Sequence, residues 1–277
     1  MQTILIALNG IESIANGKEY HVLISQSQES LEKETKELLN FSGKCVDGLL
    51  VSLSSETDDL RHFSELLGRN IPVVFIDRVT ENIQTHKILV DDIEGSYQLT
   101  THLLNQGFKR IAHLTSSLQL STTTRRLEGY HKALQDNNIL PDETYNKYCM
   151  HGGMDSTEIN TAIEELLSLP TPPDAITTAS DRITIKTFAF LKNKGIQIPA
   201  KIAMGGFSNS NEAILFSPSL TTVVQPAFEV GKKAIEMLLQ LIESKQPVKE
   251  FSTVVLPTEL IIRDSSQWEL SIQSESS

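Results

Sequence analysis

Cationic residues are in short supply in this chain. It has 24 Lys and Arg against 35 Asp and Glu, a formal net charge of −11. A protein that holds nucleic acid regardless of sequence gains affinity by neutralising phosphates, so that class is excluded for the chain alone. Cysteine is scarcer still, with only Cys45 and Cys149. A pair without metal-ligand spacing makes neither a zinc site nor a disulfide scaffold, and it fits a reducing compartment. The expected localisation is therefore cytoplasmic. No apolar run approaches the ~20 residues that cross a bilayer, so no membrane partner is expected. Met1 to Leu8 is apolar but lacks a basic leader and a small-residue cleavage site, which argues against a signal peptide. A Gly-x-Ser-x-Gly elbow, a Gly-rich phosphate loop and a His-x-x-x-His pair are all missing, and the seven histidines form no constellation. The expectation is no enzyme, no metal and no cofactor.

The chain does have an alternating rhythm. Short runs rich in β-branched residues recur at Leu23-Ile24, Gly48 to Val51, Val73 to Ile76, Ile88 to Val90 and Ile111 to Leu114. They continue at Ala175-Ile176, Ile202 to Met204 and Thr221 to Val224. Each is apolar on both sides, as parallel strands covered on two faces require. Helical spacing fills the intervals. Ile4, Leu8, Ile11 and Ala15 share one face, and Asn16-Gly17 stops that helix. The alternative, Met1 to Leu8 as a strand, stays open, because short apolar runs separate the two states poorly. Further helices are predicted over Leu31 to Leu39, Leu60 to Leu67, Tyr97 to Leu104, Leu127 to Leu134, Ile159 to Leu167, Ile183 to Leu191 and Val230 to Leu241.

Such alternation predicts α/β architecture: two Rossmann-like lobes with parallel sheets. The expected division is residues 1–91 for the N-terminal lobe and 92–225 for the C-terminal lobe. The chain would return to the first lobe over 226–257 and to the second over 258–264, with 265–277 as a loose tail. Crossovers are read at Val90-Asp91-Asp92, at Val224-Gln225-Pro226, and between the strands Thr253 to Leu256 and Leu260 to Arg263.

Local patterns in fixed order then carry a resemblance. They include Val46 to Leu50, Ile71 to Arg78, Val90-Asp91-Asp92, His102-Leu103, Gly107 to Ala112 and Arg126 to Tyr130. In the second half come Ala179-Ser180-Asp181, Gly206-Phe207-Ser208, Pro218 to Pro226 and Glu259 to Arg263. The chain resembles the LacI family of repressors, whose core is similar to a periplasmic sugar-binding protein. The resemblance implies a type I periplasmic-binding-protein-like fold with three crossovers. It implies a small-molecule effector held between lobes, a homodimer, and operator DNA bound only through a helix-turn-helix headpiece that this sequence does not contain. The family's first core strand also has no match, since Gln2 to Ala15 corresponds to the helix after it. Losing a strand from mid-sheet leaves backbone groups unpaired. Ser180 stands where the family often has Asn, and Ser208 where it often has Asp.

Ligands of doubly wound sheets bind beyond the carboxyl ends of strands. That rule selects Asp77, Ser180, Asp181, Ser208 and Asn209. From the residues alone Arg126 is more plainly a surface Arg or a salt bridge within its lobe; the resemblance instead implies a ligand contact, its guanidinium fork suiting vicinal hydroxyls, a carboxylate or a phosphate. Thr122 and Thr123 lie on a polar loop that the family uses as a pocket wall. Asp181 serves equally as a helix N-cap and Asp77 as a turn residue. Gln225 is a hinge or ligand residue. Phe75 and Phe207 offer rings to stack on a ligand, or belong to the core. The expected effector is a sugar or sugar derivative, with purines also sensed in this family. The main rival is a solute-binding protein of a sugar transport system; an enzyme on a Rossmann-like fold is the weaker one.

Overall fold

Apolar residues at helical spacing form the first element, and the strand alternative for Met1 to Leu8 is overturned. In this computed structural model, which describes residues 2–43, 46–244 and 248–268, α1 (Gln2–Ala15) buries Ala7, Gly10, Ile11 and Ala15 on one side. Next come α2 (Leu31–Gly43), β1 (Leu49–Val51), α3 (Arg61–Gly68), β2 (Val73–Ile76) and β3 (Lys87–Val90). The chain then crosses over. It builds α4 (Asp92–Asn105), β4 (Ile111–Thr115), α5 (Ser121–Asp136), β5 (Asn146–Tyr148), α6 (Ser156–Leu167), β6 (Ala175–Thr178), α7 (Asp181–Asn193), β7 (Ala203–Phe207) and β8 (Thr221–Val224). It returns as α8 (Ala227–Glu243) and β9 (Thr253–Leu256), and crosses a last time into β10 (Glu259–Ile261).

Two sheets result. The first has the order β1-β2-β3-β9 and is wholly parallel; the second is β10-β8-β7-β6-β4-β5. In the second, β10 alone runs antiparallel, against β8. Helices cover both faces of each sheet. In the first lobe α1 and α8 bury Ile11, Val230, Ala234 and Leu238 against Val74, Ile88 and Val90. Leu38 of α2 and Phe63 and Leu66 of α3 fill the other face with Val73, Phe75 and Leu89. In the second lobe α6 and α7 cover Ala112, Leu114, Ile176 and Met204, and Leu103 of α4 and Tyr130 and Leu134 of α5 cover Ile111, Ala175 and Ala203. The helix pairs approach closely because glycine stands at the crossing. A Cβ on Gly231 would lie 1.9 Å from the Ala7 carbonyl oxygen, and one on Gly129 would lie 2.1 Å from that of Ile93.

Two readings are corrected here. Leu23-Ile24 is extended but joins no strand ladder among the described residues, and β1 pairs on one side only, with β2. A strand needs a neighbour's backbone groups to pair with, and two apolar residues without such a ladder stay an extended loop. The loose tail fails at its start. Ser265 and Ser266 are fully buried, with Ser265 Oγ donating to the Met204 carbonyl at 2.6 Å and accepting from the Thr221 N–H at 2.9 Å. Residues 269–277 lie outside the described residues, as does Cys45, while Cys149 is buried.

Candidate functional site

The strand ends of both lobes point toward the crossovers, and a polar assembly forms where they meet. Its base is Arg126, only 4% exposed. Arg126 lies in the second turn of α5, which already begins at Ser121, so Thr122 and Thr123 sit in the first helical turn rather than on a loop. Arg126 Nε and Nη2 both donate to Asp92 Oδ1, at 2.7 and 2.6 Å, and Nη1 donates to the Ala179 carbonyl beyond β6. The guanidinium carbon stacks over the Phe207 ring at 3.9 Å from its centre, a cation–π contact. Burial pushes the Asp92 carboxyl up to about 6, against the pull of Arg126, and nearby Asp77 adds to the rise. Asp92 Oδ2 is buried with no hydrogen-bond partner.

The wall of the site is the turn after β6 and the turn after β7. Ser180 is the N-cap of α7, accepting from the Ile183 N–H at 3.4 Å, and Asp181 is the first helical residue rather than the cap. Capping is thus left to the Ser180 hydroxyl. Ser208 Oγ and the Asn209 N–H donate to Oδ1 at 2.6 and 3.1 Å, and Thr3 Oγ1 of the other lobe donates to Oδ2 at 3.0 Å. Burial opposes ionisation of Asp181, and the Ser208 hydroxyl and the Thr3 N–H favour it.

Asn209 is committed elsewhere. Its Nδ2 donates to the Gln225 carbonyl at 2.6 Å and its Oδ1 accepts from the Gln225 N–H at 3.0 Å. The pair closes a ring at the second crossover, so Asn209 offers only its backbone N–H to Asp181. Phe75 is also corrected. It is fully buried in the first lobe's core and packs edge-on against Phe63 at 5.3 Å, so no ligand can reach it. Asp77 remains half-buried at the end of β2, in a left-handed conformation with φ of 61°.

Sequence reasoning passed over several residues that belong here. Asp92 was read only as part of a crossover, and Thr3, Ser121 and Glu29 not at all. Ser121 Oγ accepts from the Val79 N–H of the other lobe at 3.0 Å. A hydroxyl at a helix start is the one signal that pointed to it. Among the described residues no group of His, Cys, Asp and Glu is arranged to hold a metal ion, and no helix is long and apolar enough to cross a membrane.

Fold and site together define a two-lobed α/β clamp with a polar seam between its halves. A family of periplasmic binding protein-like domains matches residues 100–266. The HTH-type transcriptional repressor PurR of Vibrio atlanticus (strain LGP32) is 32% identical over 244 residues, covering 87% of this chain and 71% of that one. The transcription regulator CcpA of Lactococcus lactis superposes with a TM-score of 0.84 at 27% identity, covering 95% and 94% of the two chains. A transcriptional regulator CelR–cellobiose complex gives 0.82 at 26% identity, over 95% and 79%. The chain belongs to the LacI family, as its periplasmic binding protein-like core. Its relatives are transcriptional repressors, not enzymes.

Proposed function

We propose that this chain is the effector-sensing and dimerising core of a cytoplasmic transcription regulator, closing on a small polar molecule at the seam between its lobes. The observation that carries the reading is the Asp181 carboxylate. It gathers one hydroxyl from its own lobe, Ser208, and one from the other, Thr3. An alcohol that bridges the lobes is the chemistry a sugar would bring, and the CelR complex with cellobiose has the same fold. Arg126, Ser180, Thr122, Thr123, Asp77 and Gln225 line the same seam in this reading, with Asp92 aligning Arg126. The effector shifts the clamp only by its differential affinity for closed and open forms. In a protein carrying a headpiece, that shift changes how two recognition helices fit operator half-sites.

The dimer surface in this reading uses α1 and the turn Asn211–Leu215. Ile4 and Leu5 expose more than half their surface, and Ile214 and Leu215 expose 65% and 79%. Exposed large apolar residues mark association faces. The α3 helix turns Phe63 and Leu66, with His62, inward, so its large apolar side chains serve the core.

Thermal unfolding with D-ribose, cellobiose, D-glucuronate, ribose 5-phosphate and hypoxanthine tests the effector reading. One of these, at a hundredfold excess over its dissociation constant, is expected to stabilise by about 2.7 kcal/mol. Asp181→Asn is expected to remove that gain. A gain that survives both Asp181→Asn and Ser208→Ala removes the site from the seam.

A further inference from the structure

One loop of the N-terminal lobe reaches across to the C-terminal lobe beside the seam. Gln28 and Glu29 both adopt left-handed backbone angles, φ of 53° and 66°, which residues other than glycine hold only where their surroundings fix them. The turn presents Glu29 to both lobes. From its own lobe Arg78 Nη1 donates to Oε2 at 2.6 Å, and the Ser55 N–H donates to the same oxygen at 2.9 Å. From the other lobe Arg182 Nη1 donates to Oε1 at 3.3 Å. The Glu29 side chain is 11% exposed, and a Cβ on Gly152 of the C-terminal lobe would lie 3.0 Å from Oε1. Arg182 follows Asp181 at the start of α7. Two successive residues of that turn are thus held by the opposite lobe, Asp181 by Thr3 and Arg182 by Glu29. Burial disfavours the Glu29 charge, but Arg78, the Ser55 N–H and Arg182 keep its pKa below the usual range.

We propose that Glu29 is a positioning residue for lobe closure, a carboxylate fixed on one lobe that captures Arg182 of the other and sets the closed-to-open ratio. The roles of its partners differ. Arg78 and Ser55 share its lobe, so they hold Glu29 in both states. Only the Arg182 contact is made and broken by closure, and only contacts that differ between states shift a balance. Arg182 is partly exposed, at 29%, so salt weakens the contact. The device works without an effector; it rests on the two lobes moving as a clamp and not on what binds between them.

The test is the distance between spin labels on the two lobes of the effector-free chain. Glu65→Cys and Thr161→Cys place labels on exposed turns of α3 and α6, in a background with Cys45→Ala and Cys149→Ala. Excess unlabelled chain confines the signal to pairs within one molecule. At low salt the short-distance population is expected to dominate. Arg182→Gln and Glu29→Gln should each lower the closed-to-open ratio by about fivefold, and the double variant should fall no further than either alone. Arg182→Lys should restore part of the short-distance population, which a purely structural role for the residue would not do. Molar salt should move the unsubstituted chain toward the Arg182→Gln distribution and leave that variant unchanged. The proposal is overturned if neither Arg182→Gln nor salt alters the distances, or if the two charge-removing changes add.

Discussion

Four strands make the N-terminal sheet and six the C-terminal one, and the buried polar side chains divide unequally between them. Around the C-terminal sheet Thr177, Thr178, Thr184, Thr221, Thr222, Ser208 and Arg126 are all buried, linked to backbone carbonyls and to one another. In the N-terminal lobe fewer polar side chains are buried, Glu34, His62 and Lys87 among them, and Glu29, Asp77, Arg78 and the first turn of α1 bring polar groups to the seam. One half therefore carries a dense buried polar network, and the other reaches across the seam to it through Thr3, Glu29 and the Val79 N–H. In the C-terminal lobe Ser265 and Ser266 also tie down the chain beside β7 and β8.

The sharpest way to break this comparison is to damage each lobe in the same manner. Gly231→Ala drives a Cβ into the Ala7 carbonyl of the α1–α8 pair, and Gly129→Ala does the same to the Ile93 carbonyl of the α4–α5 pair. Neither contact can give way without moving a helix, so each change is expected to cost about 3 kcal/mol. The chain's only tryptophan, Trp268, packs against Phe108 of the C-terminal lobe at 5.3 Å. Its fluorescence therefore follows that lobe, while far-ultraviolet dichroism follows both. In urea, Gly231→Ala should shift the early part of the dichroism transition and leave the Trp268 transition behind. Gly129→Ala should shift the Trp268 signal directly. Equal shifts of both signals in both variants would mean that the lobes unfold as one unit.

The unequal division also explains what the sequence disclosed. The strand–helix rhythm is a matter of local period, and it located nearly every helix and the parallel strands. It missed β5, where Asn146-Lys147-Tyr148 carries no apolar run because the strand lies at a sheet edge. Phe75 and Phe207 read alike in sequence, yet one lies in an apolar core and the other under Arg126. That difference comes from which residues arrive from elsewhere in the chain. The same holds for Asn209, whose amide is committed to a crossover 16 residues away in sequence, and for Ser265, whose polar neighbours suggested solvent. Asp92 was hidden because an acid after a strand reads as a cap or turn, while its environment depends on Arg126 and Phe207.

A second contrast lies between two buried carboxylates, Glu29 of the N-terminal lobe and Asp92 of the C-terminal lobe. Cations hold the Glu29 pKa below 4.5, so its stabilisation is present above that value and is lost as pH falls through the lowered one. Asp92 has the opposite sign. Its pKa rises from 3.8 to about 6, so the folded state binds the proton more tightly and stability falls as pH rises through that window. His113, lowered to about 3 by burial, contributes stability that is lost as pH drops, equally in the chain and in an Asp92→Asn variant. Asp92→Asn should therefore make stability climb more steeply between pH 4 and pH 6 than in the unsubstituted chain, by about 2 kcal/mol across the interval. Urea midpoints at several pH values read this directly. Parallel curves would mean that Arg126 keeps Asp92 ionised throughout.

The smallest expected effect separates two uses of a hydroxyl. Asp91 caps α4 at the first crossover, accepting from the Glu94 N–H at 3.0 Å, while Ser180 caps α7 with a longer contact of 3.4 Å to the Ile183 N–H. A well-formed cap contributes about 1 kcal/mol, and a stretched one contributes less. Asp91→Ala should thus cost about 1 kcal/mol and Ser180→Ala only about 0.5 kcal/mol. If Ser180 also faces the effector, its removal should weaken the response to whichever of the tested sugars stabilises the chain by more than it lowers the effector-free midpoint. Asp91→Ala should leave that response intact. Loss of stability at Ser180 equal to that at Asp91, with an unchanged response, would make its hydroxyl a helix cap and nothing more, leaving Asp181 and Ser208 to carry the C-terminal side of the seam.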